Sequence, residues 1–80
     1  MARAIGKSKT ARTEAALVAG IKATVSIGGF RNLGEMADSM AVPQSTLYAW
    51  IKDPGKISLH NLIRLELVME ANGINWRSFI

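Results

Sequence analysis

Residues 32–52 read NLGEMADSMAVPQSTLYAWIK, and their pattern decides the fold. Asn32 followed by Glu35 has the spacing of a capping box, in which the Asn oxygen accepts an orphan amide of the first turn while the Glu reaches back. A helix therefore starts at Leu33. Leu33, Met36, Ala37 and Met40 share one face at helical spacing, with Glu35, Asp38 and Ser39 pointing away. Pro43 disfavours helical geometry at Val42 and suits the first turn of a second helix, where a missing amide costs little. The connection is thus confined to Ala41, Val42 and Pro43. The next apolar face is Leu47, Trp50 and Ile51, which leaves Gln44, Ser45, Tyr48, Ala49 and Lys52 outward. Ala37 is small where the two helices meet, Ala41 is small in the turn, where bulk would push them apart, and Val42, Leu47 and Trp50 fill the wedge between them.

With those residues in view, MADSMAVPQSTLYAWIKD resembles the helix-turn-helix of the Cro and lambda-repressor-like group, which shares an Ala, a small residue, an aliphatic and a large apolar residue at these spacings. The likeness continues through ISLHNLIRLELVMEANGI, similar to the supporting helix of that group, and covers roughly residues 13–79. Three positions depart from the group's pattern. Ala41 stands where Gly is usual, Pro43 where a Ser often caps the second helix, and Leu33 where a polar residue often touches phosphate. The resemblance implies an all-α, compact four- to five-helix domain that places its second short helix in DNA.

Eighty residues make one small domain, close to the lower limit for a sufficient core, and a 49% hydrophobic content compensates. The absence of Cys excludes a disulfide framework and a thiolate zinc site, and a single His60 excludes a His-rich metal site. His60 reads as a surface residue near a helix start. No nucleophile, base and orienting residue converge, so neither catalysis nor a cofactor is expected. The ten basic and six acidic residues give a net charge of +4. Residues 1–12, MARAIGKSKTAR, hold all of that excess in Arg3, Lys7, Lys9 and Arg12, while residues 13–80 are balanced at six and six. We expect residues 1–12 to be a disordered basic arm that follows a phosphate backbone.

The segment after the arm has a second reading as a signal peptide or membrane anchor. Its apolar run between Glu14 and Lys22 is seven residues, against the roughly 18 needed to span a bilayer, and no membrane partner is expected. As a helix over about residues 13–27, it presents Leu17, Val18, Ile21 and Val25 on one side, with Thr10 or Thr13 as the cap. Gly20 marks a close approach by another helix, and Gly28 and Gly29 end this one. Phe30 folds back onto the core, and Arg31 lies near the start of the next helix, within reach of a phosphate.

Asp53-Pro54-Gly55-Lys56 is a turn that stops the second short helix. Ser58 caps a helix over residues 59–71, with Leu59, Leu62, Ile63, Leu65, Val68 and Met69 on its buried face and Glu66 and Glu70 outward. Leu67 carries apolar surface beyond what one packing face needs. Asn72-Gly73 ends this helix, and Asn75 has the character to cap a short turn at 76–79. Two readings stay open for Trp76, Phe79 and Ile80: a return to the domain, or a patch between two copies, since large apolar residues near a terminus need cover.

With the second short helix in the major groove, Gln44 pairs with N7 and N6 of adenine, Ser45 donates or accepts, and Ala49 meets a thymine methyl. Thr46 and Tyr48 are secondary contacts. The group's equivalent loop runs along the DNA backbone, which carries Lys52 and Lys56 over as phosphate contacts. The function implied is a sequence-specific regulator of double-stranded DNA, a Cro-like phage or prophage repressor acting in the cytoplasm as a homodimer that occludes a promoter. An antitoxin that also binds a toxin, and a helix-turn-helix that packs on another protein, are the alternatives.

Overall fold

The computed structural model describes residues 2–80, with side chains from Ala11 onward. The chain is helical: α1 (Ala2–Ile27), α2 (Leu33–Ser39), α3 (Gln44–Lys52), a 3-10 turn at Pro54–Lys56, α4 (Leu59–Ala71) and a 3-10 turn at Trp76–Phe79. No strand occurs among the described residues.

The ends of α2, α3 and α4 follow from local chemistry. Asn32 Oδ1 accepts from the Glu35 amide at 2.9 Å, and Glu35 Oε1 accepts in return from the Arg31 amide at 3.1 Å. Ser58 Oγ caps α4 by accepting from the Asn61 amide at 3.2 Å. At the far end of α4, Gly73 at φ 76 turns the chain, so that the Ile74 amide reaches the Met69 carbonyl and the Gly73 amide reaches that of Glu70. The same double closure ends α2, where the Val42 amide bonds Ala37 and the Ala41 amide bonds Asp38. Its left-handed residue is Ala41 at φ 57, which costs an alanine roughly 1–2 kcal/mol. A negative angle at Ala41 would have spared that cost. Pro43 stands just outside α3, with its carbonyl accepting from Thr46 and Leu47, and offers no side-chain cap.

One core joins the elements. It contains Ala16, Leu17 and Ile21 of α1, Met36 and Ala37 of α2, Met40 just beyond it, Leu47 and Trp50 of α3, Leu65 and Met69 of α4, and Ile74 and Trp76. Each fully buried aliphatic among them contributes about 1.5–3 kcal/mol. Phe30 packs against this core, as its position after the glycines suggests.

The structure corrects several expectations. Helix α1 begins ahead of residue 13, so Thr13 lies within it and not at its cap. The flexible arm was expected over residues 1–12, and residues 1–10, including the side chains of Arg3, Lys7, Lys9 and Thr10, lie outside the residues described with side chains. Ala11 and Arg12 are helical and exposed. The buried stripe of α1 is Ala16, Leu17, Gly20, Ile21 and Thr24, with Val18 and Val25 only half-buried, because a close neighbour favours small residues over bulky ones. That neighbour is Trp76. Thr24 resolves its burial by donating to the Gly20 carbonyl at 2.7 Å.

On α4 the buried face is narrower than expected. Leu65 and Met69 are fully buried, Leu62 and Val68 half-buried, while Leu59 is 73% and Ile63 49% exposed. Glu66 turns inward, accepting from Trp76 Nε1 at 3.0 Å and from Arg77 Nη1 at 2.6 Å. Trp76 is therefore buried, against α1, and belongs to no patch between copies; Phe79 and Ile80 remain exposed.

Candidate nucleic-acid interface

The outward face of α3 is set by what its inward face must bury. Leu47 is fully buried and Trp50 nearly so, and at helical spacing this turns Gln44, Ser45, Tyr48, Ala49 and Lys52 to solvent; all five are exposed. Thr46 is half-buried at the helix flank. The exposed row has no acidic residue from Pro43 to Lys52. Gln44 Nε2 donates to Tyr48 Oη at 3.4 Å, one turn along the helix. A Cβ on Gly34 would lie 3.0 Å from Gln44 Oε1 and 3.2 Å from Asn32 Oδ1, so Gln44 lies across the start of α2, where glycine leaves room for it.

The cations lie at the edges of this face. Lys52 ends α3 and Lys56 ends the following turn, and both line an open depression of about 540 Å³ together with Ala49, Trp50 and Asp53. Lys56 Nζ is 3.8 Å from Asp53, and Arg31 Nε is 3.9 Å from Glu35, both on exposed side chains. Such surface pairs contribute at most about 1 kcal/mol and are readily exchanged for another anion. Glu14 of α1 lies close against the turn carrying Lys56: a Cβ on Gly55 would lie 2.9 Å from Glu14 Oε2.

Arg64 holds the interhelix turn from behind, and its role is absent from the sequence reading. Its Nη2 donates to the Met40 carbonyl at the end of α2, and its Nη1 to Asn61 Oδ1 at 3.3 Å. A carbonyl otherwise left over at a helix end thereby gains a charged donor. The available signal was an arginine on a flank of α4 among residues that face the core.

Among the described residues no group of three His, Cys, Asp or Glu is placed to hold a metal ion, and His60 is exposed. Nor is any described helix long and apolar enough to cross a membrane. Comparisons with protein-family models, with curated proteins and with solved structures find no match.

Proposed function

We propose that this chain is a sequence-specific DNA-binding regulator of the lambda-repressor-like helix-turn-helix kind, with α3 as its reading helix. The observation that carries the reading is the row Gln44, Ser45, Tyr48, Ala49 and Lys52, exposed and free of acid on a helix whose other side is locked into the core. An α-helix fits the major groove, where the amide of Gln44 matches N7 and N6 of adenine, Ser45 offers a hydroxyl, and Ala49 meets a thymine methyl. Tyr48 orients the Gln44 amide before contact. Lys52, Lys56 and Arg31 neutralise phosphates beside the groove, joined by Arg12 and the other cations of residues 1–12. Rigid seating of the reading helix supports the same conclusion: Arg64 and the double closure at Ala41 fix the angle between α2 and α3.

Repression by occluding a promoter in the cytoplasm is the simplest outcome of such binding. Fluorescence anisotropy on the DNA upstream of its own gene and on an unrelated duplex, each across a salt series, tests the reading. Tight binding to the first, with a steep salt slope, is expected. Equal, weak binding to both that vanishes at physiological salt contradicts it.

A further inference from the structure

We propose that a second copy of this chain docks on the outward face of α4, the two helices lying antiparallel with Ile63 on the two-fold axis. The inference stands on the surface of α4 and goes beyond the DNA reading. Leu59, Ile63 and Leu67 are 73%, 49% and 60% exposed, recur every fourth residue, and lie on the side of the helix opposite the fully buried Leu65 and Met69. Three large aliphatics aligned on one exposed ridge call for cover, and a ridge that repeats every four residues packs against its own copy.

The charges of α4 select the occupant and its direction. The helix has no acid in its first turn and no base in its last, the reverse of what its dipole favours, with Glu66 and Glu70 in its second half. Lys56 lies just before its start. An antiparallel copy with Ile63 on the axis brings its Lys56 beside Glu70, so that dipole and charge agree at both ends of the pair. With Ile63 on the axis, Leu59 of one copy meets Leu67 of the other. A groove of about 550 Å³ borders Ile63, Leu67 and Ile74, and there it receives Leu59, the most exposed of the three. Three aliphatics and their rim cover less than the roughly 800 Å² per partner of a standard interface, so the free dimer is weak, with a dissociation constant between roughly 10 μM and 1 mM.

Sedimentation velocity of the full chain without DNA, from about 10 μM to 1 mM, is expected to show monomer passing to dimer. Ile63→Lys, checked by circular dichroism for an unchanged fold, should remain monomeric. A second measurement reads the register. The chain has no cysteine among its residues, so Ile63→Cys places one thiol on the axis facing its own copy. In oxidised glutathione, which accepts the two electrons and two protons, that variant should form a disulfide dimer at least about tenfold faster than Leu67→Cys, whose counterpart is Leu59. A wild-type chain monomeric at 1 mM would overturn the proposal and assign the face to a different partner. Dimerisation unaffected by Ile63→Lys, or faster linking of Leu67→Cys, would overturn it equally. Since no DNA is present, each of these failures leaves the DNA reading untouched.

Discussion

Gly20 of α1 lies directly against Trp76: a Cβ at position 20 would overlap the Trp76 Cβ, with the Trp76 Cα at 3.2 Å and Met69 Sδ at 3.1 Å. This contact lets the C-terminal turn close over α1. It also explains why the tryptophan, with its Nε1 bonded to Glu66 and its ring 4.9 Å from the Arg77 guanidinium, is interior.

Gly20→Ala should therefore destabilise the fold. Alanine gains about 1 kcal/mol of helix propensity, but overlap with atoms next to the Trp76 backbone costs about 1–3 kcal/mol or more, because no flexible side-chain end can yield. A net loss of about 1–2 kcal/mol is expected, read as a lowered melting temperature by circular dichroism. A rise would show that the C-terminal turn is not seated on α1.

Ala41→Gly should act in the opposite direction. Ala41 has φ 57, and glycine removes a left-handed cost of roughly 1–2 kcal/mol while adding about 0.5–1 kcal/mol of unfolded-state entropy. Chemical denaturation should show a gain of about 0.5–1 kcal/mol with an unchanged slope. A loss would mean that the methyl group of Ala41 makes a contact outweighing the strain.

Much of this fold was legible because its signals are local. Asn32, Ser58 and Asn75 cap the turns that follow them, Gly73 ends α4, and the bounds of α3 and α4 match the spacing of their apolar residues. The outward row of α3 was legible for the same reason: burying Leu47 and Trp50 determines which residues face out. What was not legible depends on partners distant in the chain. The stripe of small residues on α1 makes sense only once Trp76 is known to lie on it. The exposure of Leu59 and Ile63 depends on which side of α4 meets the core, and eight apolar residues of thirteen, spread around the helix, leave that undecided. Arg64 and Glu66 look like solvent-facing charges until the Met40 carbonyl and the Trp76 indole are placed beside them.

Arg64→Met keeps the bulk of the side chain and removes its donors, leaving the Met40 carbonyl without its charged partner. A loss of about 1–3 kcal/mol is expected in thermal or denaturant unfolding. If the turn position matters for reading DNA, specific affinity should fall further than this loss of folded population explains. Unchanged stability would contradict the contact.

Lys52→Ala and Lys56→Ala should each weaken binding to every duplex by a similar factor, and each should lower the salt slope by about 1 unit. Loss of affinity for one sequence alone would move the affected lysine from the phosphates to a base edge.

The most direct test of the central claim is an anisotropy titration of wild type and Gln44→Ala against a specific site and an unrelated duplex of equal length. Gln44 is exposed at the start of α3, so the substitution should leave the fold intact. If α3 reads bases, the variant should lose about 1–3 kcal/mol on the specific site and almost nothing on the unrelated duplex. Equal losses on both, or none on either, would contradict it.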